Sequence, residues 1–242
     1  MENEISVILN VYKRPHTLEG QIQAILNQSV NVKPENIHVW YNESGVTQHP
    51  PKNSKIKTYQ CNWNTKFYGR FTIPLICRTK YIAMFDDDIL PQKDWLKNCL
   101  DTMETNEGIL GGSGIITAGT TYKPHVKIGW NGEHRDTTTE VDLVGHAWFF
   151  KQEWTRFLWD EEPVSWDNGE DIMFAYVCQK QGINSYIPPH PNSNKDLWSS
   201  EERYGRTIGG DNNASYRLGT HKGQRDSIVS ELVKRGWRTI NG

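Results

Sequence analysis

An apolar run followed directly by three aspartates dominates the pattern of this sequence. Residues 81–85, Tyr-Ile-Ala-Met-Phe, predict its clearest strand, and Asp86-Asp87-Asp88 come immediately after it. Pro91 then opens a predicted helix. The buried face of this helix carries apolar residues at helical spacing, namely Trp95, Leu96, Cys99, Leu100 and Met103. A strand that leads through a polar loop into a helix is the repeating unit of an α/β fold.

The same order of elements recurs along the chain. Residues 5–10 predict the first strand, and Thr17 is the expected N-cap of the helix that follows. Further strands are expected at residues 37–41, 109–116, 141–150 and 183–187, further helices at residues 70–78 and 170–181, and polar loops at residues 42–54 and 117–140. This alternation predicts an α/β fold with a mostly parallel central sheet and helices on both faces. Ligands bind at the carboxyl ends of such strands, which points to the loops after Asn10, Tyr41 and Phe85.

Length and charge exclude several classes of protein. The chain has 242 residues with 27 basic and 29 acidic side chains, and its net charge of −2 argues against a dedicated duplex-DNA binder. We therefore expect no nucleic-acid partner. Apolar runs stay well short of the roughly 18 residues of a membrane span, and the N-terminus opens on charges, so we expect no transmembrane segment and a cytoplasmic location. Four widely spaced cysteines are expected to be free thiols.

The charge is distributed unevenly along the chain. Residues 192–242 carry nine basic and six acidic side chains, a net +3, whereas residues 1–191 have a net −5. We therefore expect a single domain over residues 1–191 and a basic C-terminal extension over residues 192–242. Within this extension, residues 192–221 could close over a donor or an acceptor as a lid.

Asp86 and Asp88 form a candidate metal site. Alternate residues of an extended segment point the same way, so these two carboxylates can share one divalent ion while Asp87 faces elsewhere. Such oxygen ligands select Mg²⁺ or Mn²⁺, which usually bridge to substrate phosphates. His190, which lies between prolines after the last predicted strand, is a candidate third ligand. The alternatives are a solvated acidic turn that caps the next helix and, for His190, an ordinary surface histidine.

Glu170 and Asp171, at the start of a predicted helix, are the candidate catalytic residues. A helix N-terminus favours acids through its dipole, so capping is one interpretation. The other is a carboxylate that acts as general base for an acceptor hydroxyl or stabilises charge at the reaction centre. Arg70 and the arginines of the C-terminal extension could neutralise a diphosphate, or could belong to a solvated face.

Three aromatic residues are candidate contacts to a sugar or an acceptor: His146, Trp148 and Trp166. Trp and Tyr rings combine an apolar face with a polar edge, which suits a sugar-binding site as well as a core. Residues 144–150 also fit a core strand, which is the simpler interpretation for the first two.

The order of these motifs resembles that of a known family. Residues 6–15, Ser-Val-Ile-Leu-Asn-Val-Tyr-Lys-Arg-Pro, and residues 26–29 are similar to the first strand and helix of GT-A nucleotide-sugar glycosyltransferases of the family 2 type. Asp86-Asp87-Asp88 resembles the D-x-D motif of these enzymes, and residues 169–171, Gly-Glu-Asp, resemble their later E-D motif.

Other details are closer to the exostosin-like branch of these enzymes, namely residues 39–42, Val-Trp-Tyr-Asn, and the segment 143–150. The resemblance covers residues 5–191. It implies a GT-A fold, which is a Rossmann-like α/β domain with a mostly parallel central sheet.

The resemblance also implies a role for each matching residue. The nucleotide would be contacted by Asn10, Tyr12, Asn42, Arg70, Asp86 and Asp87. Asn10 and Tyr12 would line the nucleobase pocket, and Asn42 would stand where family 2 members often have an aspartate that reads uracil. Asp86 and Asp88 would bind the ion together with His190, and Asp171 would be the catalytic carboxylate beside Glu170.

The sequence thus predicts a metal-dependent glycosyltransferase, either a hexosyl- or a pentosyltransferase, with Mn²⁺ or Mg²⁺ as cofactor. Its expected donor is a nucleoside diphosphate sugar of the UDP or GDP type, and its expected acceptor is a hydroxyl group of a glycan, a glycoprotein or a small molecule. Inversion and retention of the anomeric centre both remain open. Two alternatives are a sugar-phosphate nucleotidyltransferase, which also uses a carboxylate-held Mg²⁺, and a non-catalytic carbohydrate-binding module.

Overall fold

The computed structural model describes residues 4–43, 50–210 and 219–242. Over these residues the chain forms a nine-stranded sheet with the order β3-β2-β1-β4-β8-β5-β9-β7, and β6 pairs with β5 beside this path. The strands are β1 (Ile5–Val11), β2 (Ile37–Tyr41), β3 (Lys57–Gln60), β4 (Tyr81–Phe85), β5 (Ile109–Thr117), β6 (His125–Gly129), β7 (Thr139–Val141), β8 (Leu143–Lys151) and β9 (Ser185–Ile187). The α-helices are α1 (Leu18–Leu26), α2 (Trp95–Thr105), α3 (Glu170–Gln179), α4 (Glu202–Gly209) and α5 (His221–Lys234). Two longer 3₁₀ helices span Gly69–Ile76 and Gln152–Trp159.

The central strands of the sheet are mostly parallel. Strands β1 to β4 pair in parallel, and β9 is parallel to β5. Strand β8 lies between β4 and β5 and is antiparallel to both, so β5 runs in the same direction as β4. This confirms the predicted α/β class, and it places the carboxyl ends of β1, β2 and β4 at one edge of the sheet.

Several predicted boundaries were wrong. The helix expected at residues 70–78 is a 3₁₀ helix that contains Pro74, whose missing N–H disfavours a regular α-helix. The loop expected at residues 117–140 contains β6 and the start of β7. The strand expected at residues 141–150 divides at Asp142, whose carboxylate accepts hydrogen bonds from the backbone N–H groups of Thr117 and Ile240. Helix α2 begins at Trp95 rather than at Pro91. Within the loop expected at residues 42–54, residues 44–49 lie outside the described ranges.

Buried aromatic and aliphatic side chains on both sides of β4 form the core. Phe85 and Trp95 are fully buried, as expected, while Trp40 and Trp159 pack partly buried against the core. All four cysteines are buried and free, which confirms the predicted thiols.

The C-terminal helix packs against this body. Ile228, Val229 and Leu232 of α5 are buried in the core, and α5 contacts α3 directly. The backbone around Gly169, at the start of α3, leaves space that Ile228 fills. Helix α5 therefore brings part of the basic extension to the N-terminus of α3. Among the described residues, no helix combines the length and the apolar character that a membrane span requires.

Candidate active site

The three aspartates leave β4 at the centre of the sheet, and they divide into two groups. Asp87 turns inward: it is 6% exposed, its Oδ1 accepts a hydrogen bond from Arg14 Nη1 at 2.6 Å, and its Oδ2 accepts one from the backbone N–H of Tyr12 at 3.3 Å. Burial raises the pKa of Asp87 to about 6, although Arg14 opposes this shift. The Asp87 carboxylate thus ties the loop after β1 to the end of β4, and its contact with a nucleotide stays a prediction.

Asp86 and Asp88 lie together with His146, and Asp88 Oδ2 is also 3.9 Å from Arg14 Nη1. One potential ligand atom from each of the three lies within 4.8 Å of the others, and among the described residues this is the group that could hold a metal ion. Asp88 Oδ1 and His146 Nε2 are buried with no hydrogen-bond partner in the described part of the chain. Buried polar atoms rarely stay unpaired, so this donor set fits a divalent ion. Burial, followed by the charges of Asp86 and Asp87, raises the pKa of Asp88 to about 7.

A β-bulge brings His146 to this group. Gly111 pairs with Trp148 but Ser113 pairs with Gly145, so β8 has one extra residue at this point. His146 has a left-handed backbone φ of +72°, which a residue other than glycine rarely adopts. Burial holds the pKa of His146 well below its usual range, and the neutral imidazole is the form that binds a metal.

His190, the predicted third ligand, is not part of this group. Its Nδ1 lies 2.9 Å from Nδ1 of His134, and its ring stacks on Trp198 with the ring centroids 4.4 Å apart. His190 therefore packs in an aromatic cluster with His134 and Trp198. His146, which the sequence indicated as a sugar contact, therefore replaces His190 beside the two aspartates.

Arg70 connects the two acidic motifs. The Arg70 guanidinium pairs with Asp86 Oδ1 through Nη1 and with Glu170 Oε1 through Nη2, the latter at 3.2 Å. It also lies over the Trp148 ring, 4.5 Å from the ring centroid. Arg70 and Trp148 are each 2% exposed. Arg70 and the core cover the Trp148 ring, and two carboxylates pair with the Arg70 guanidinium. The sugar contact of Trp148 and the diphosphate contact of Arg70 stay predictions.

Glu170 and Asp171 begin α3, after Gly169 in the left-handed conformation. Glu170 is buried, and burial together with the charge of Asp171 raises its pKa to about 7, against the opposing effect of Arg70. Asp171 is bound by Arg225 of α5 through two parallel contacts, Nη1 to Oδ1 at 3.0 Å and Nη2 to Oδ2 at 2.6 Å. The sequence did not single out Arg225 from the nine basic residues of the extension.

The predicted nucleobase pocket contains a closed hydrogen-bond network. Asn42 Nδ2 donates to Asn64 Oδ1 at 3.1 Å and to the Lys66 carbonyl at 2.9 Å. Asn42 Oδ1 accepts hydrogen bonds from the backbone N–H and the hydroxyl of Thr65. Because its amide groups are all engaged, Asn42 holds the loop 64–66 in place, and its contact with a base stays a prediction. Asn64 Nδ2 donates in turn to the Tyr12 hydroxyl at 3.0 Å. Asn10 lies one residue from the end of β1, opposite Trp40.

Trp166 presents an exposed ring close to the catalytic candidates. It is 53% exposed, and its edge packs on Tyr68 with the ring centroids 5.1 Å apart. Burial and the nearby charges of Glu170 and Asp171 raise the pKa of Tyr68. Trp166 therefore remains a candidate surface for a sugar ring, at the side of α3 where the acidic pair lies.

Helix α4 covers the Asp86, Asp88 and His146 group. A Cβ at Gly205 would come within 2.6 Å of the Trp130 ring, and Trp130 stacks on His146 with the centroids 3.7 Å apart. A Cβ at Gly209 would overlap Asp88 Oδ2. The two glycines let the α4 backbone lie directly on these side chains. Helix α4 belongs to the predicted lid over residues 192–221, of which residues 211–218 lie outside the described ranges.

Comparison with models of known families gives a match over more than half of the chain. The sequence model of the family described as glycosyl transferase family 2 matches residues 6–159. The matched range contains the aspartates after β4, Arg70 and His146, whereas Glu170, Asp171 and Arg225 lie beyond it. No curated protein matches the chain. The exostosin-like likeness of residues 39–42 and 143–150 stays a prediction.

Proposed function

Since this chain belongs to glycosyl transferase family 2 and is a glycosyltransferase, we propose that it moves a hexosyl or pentosyl group from a nucleoside diphosphate sugar to a hydroxyl acceptor with the help of a divalent ion. The observation that carries the proposal is the group of Asp86, Asp88 and His146, with two unpaired buried ligand atoms, at the carboxyl end of β4. The acidic pair at the start of α3 is linked to this group through Arg70.

At the donor end, Asp86, Asp88 and His146 would hold the ion. A bound Mn²⁺ or Mg²⁺ supplies positive charge to the diphosphate as it leaves. An imidazole ligand beside two carboxylates favours Mn²⁺ over Mg²⁺, since Mg²⁺ prefers oxygen ligands throughout. Asn10 and Tyr12, at the end of β1, would contact the nucleobase of the donor, whether it is of the UDP or the GDP type.

At the acceptor end, Asp171 would receive the proton of the acceptor hydroxyl. In an inverting reaction, the acceptor oxygen bonds to the anomeric carbon while the bond from that carbon to the diphosphate breaks and its electron pair leaves with the diphosphate. In a retaining reaction, Asp171 would instead stabilise a positively charged sugar centre or act as a transient nucleophile. The exposed ring of Trp166 offers the acceptor or the donor sugar a flat apolar surface.

The family membership argues against both alternative functions. A nucleotidyltransferase would join a nucleoside triphosphate to a sugar phosphate and release pyrophosphate. A binding module would bind glycans without an ion.

Nucleotide sugars are expected to stabilise the protein only when a divalent ion is present. A ligand at about 100 times its Kd adds about 2.7 kcal/mol to the free energy of unfolding, which corresponds to a rise in Tm of roughly 5 °C or more for a chain of this size. A thermal-shift screen of nucleoside diphosphates and nucleotide sugars, with and without Mn²⁺, measures this. The ligand that gives the largest shift is then used as donor in a transfer assay. The absence of an Mn²⁺-dependent shift with every nucleotide, or pyrophosphate release from nucleoside triphosphates, would contradict the proposal.

Replacing Gly209 with alanine is expected to weaken ion binding. The added Cβ overlaps Asp88 Oδ2, so either the carboxylate or α4 must move away. Changes beside a metal ligand typically lower metal affinity roughly 10- to 100-fold, and a Mn²⁺ titration by calorimetry measures this change. Gly223→Ala is the matched control, because this helical glycine of α5 has open space around it. If both variants bind Mn²⁺ like the wild type, α4 does not lie on Asp88 in solution.

A further inference from the structure

The C-terminal extension contributes one side chain to the acidic pair. Arg225 is 6% exposed and meets the Asp171 carboxylate in the bidentate arrangement described above. This arginine lies 66 residues beyond the last residue of the family match, which ends at residue 159. Its role therefore does not follow from family membership.

The contacts at Asp171 leave little of its carboxylate unused. A carboxylate has about four positions that can accept a hydrogen bond. Arg225 Nη1 and Nη2 occupy two of them, and the backbone N–H of Ile172 occupies a third at 2.9 Å. One position remains for the hydroxyl of an acceptor. The carboxylate is thus held in a single orientation before any substrate binds.

Arg225 is itself held from three sides. Its guanidinium lies over the Tyr122 ring, 4.4 Å from the ring centroid, and Nη1 also donates to Asn168 Oδ1 at 3.2 Å. The helix that carries it is anchored in the core through Ile228 and Val229. These contacts fix the guanidinium on Asp171 and do not leave it free to follow a diphosphate. The same argument separates it from Arg235, the exposed arginine that directly follows α5.

We propose that Arg225 is a positioning residue, which orients the Asp171 carboxylate so that its one free acceptor position meets the acceptor hydroxyl. The inference rests on the proposed function, in which Asp171 takes up the acceptor proton. The C-terminal extension thereby completes an active site whose ion-binding half lies in the family-matched region. Arg225 acts on the rate of the transfer step and makes no contact with the donor.

Steady-state kinetics of Arg225→Met and Arg225→Lys test this role. We expect kcat to fall roughly 100-fold in Arg225→Met, because a misplaced catalytic group can cost about that factor, while the donor KM changes less than about twofold. Arg225→Lys keeps the charge but loses the fork geometry, so its kcat should lie between those of the wild type and Arg225→Met. In Asp171→Asn, adding Arg225→Met should lower kcat no further, since the two residues act as a unit.

Arg235→Met, at the residue that directly follows the same helix, is the matched control. Arg235 pairs with Glu231 at 3.0 Å on the exposed face, and its removal should leave kcat and KM unchanged. If Arg225→Met misfolds, the test uses Arg225→Lys and the double variant of Arg225→Met with Asp171→Asn. In this double variant no buried charge is left unpaired. The inference is overturned if Arg225→Met raises the donor KM, or if its loss of kcat multiplies with that of Asp171→Asn. In either case, transfer by the wild type still supports the proposed function. Failure of the wild type to transfer a sugar from a donor that it binds overturns both.

Discussion

Replacing Asp88 with asparagine is expected to abolish ion-dependent donor binding and to lower turnover by roughly 1,000-fold, since a bound ion contributes several kcal/mol of transition-state stabilisation. The amide oxygen is a weaker ligand than the carboxylate, and the remaining ligands, Asp86 and His146, are too few for a stable site. The measurements are Mn²⁺ affinity by calorimetry and donor-dependent transfer. Transfer that stays within about threefold of the wild type would contradict the assignment of Asp88 as an ion ligand.

The same substitution should not destabilise the ion-free protein. The pKa of Asp88 is about 7 in the folded protein, above its ordinary value of 3.8, so the folded state binds more protons than the unfolded state between these values. The free energy of unfolding of the wild type therefore falls as the pH rises from about 4 to about 7. Asparagine does not titrate, so this slope should be smaller in Asp88→Asn. Asp101→Asn, which removes an exposed carboxylate of α2, is the control and should change neither the slope nor the ion affinity.

The local pattern around β4 was sufficient to predict the fold class and the edge of the sheet at which the candidate ion-binding group lies. An apolar strand that ends in acids, followed by an amphipathic helix, specifies an α/β unit and places the acids at the carboxyl edge of the sheet. Alternation along Asp86-Asp87-Asp88 was also predicted, and Asp87 binds Arg14 outside the group that Asp86 and Asp88 form with His146. These features depend on neighbours in the sequence.

The parts of the site that the sequence did not predict depend on contacts between distant residues. His146 reaches the aspartates through a β-bulge, which adds one residue to β8 and has no signature in the residues themselves. Asn42 has the hydrogen-bonding groups to read a base, but the loop 64–66 engages them. Nothing in the sequence distinguishes Arg225 from the other basic residues of the extension. Its contact with Asp171 forms only when α5 packs on α3. A buried partner cannot be recognised until the surface that buries it is known.

The pairing of Arg70 with two acids shows how such distant contacts affect stability. Arg70 joins Asp86 after β4 to Glu170 at the start of α3, residues that are 84 positions apart in the sequence. Removal of one partner from a buried ionic group leaves the others without compensation, which typically destabilises a protein by 3–5 kcal/mol. The guanidinium also covers Trp148, so its loss exposes an aromatic ring to a cavity.

Arg70→Met is therefore expected to lower the free energy of unfolding by about 3 kcal/mol or more at pH 8, measured by urea denaturation. Without Arg70 the pKa of Glu170, which is about 7 in the wild type, rises further because the opposing positive charge is gone. Protonation then removes the uncompensated charge, so the deficit relative to the wild type should shrink as the pH falls from 8 to 6. Adding Glu170→Gln should recover part of the loss, since it removes the same charge at every pH.

Arg235→Met, which breaks only an exposed pair, should change the free energy of unfolding by less than about 1 kcal/mol. An equal loss in both arginine variants, or a deficit that does not depend on pH, would show that Arg70 is not the residue that keeps the acids of the two motifs in one buried network.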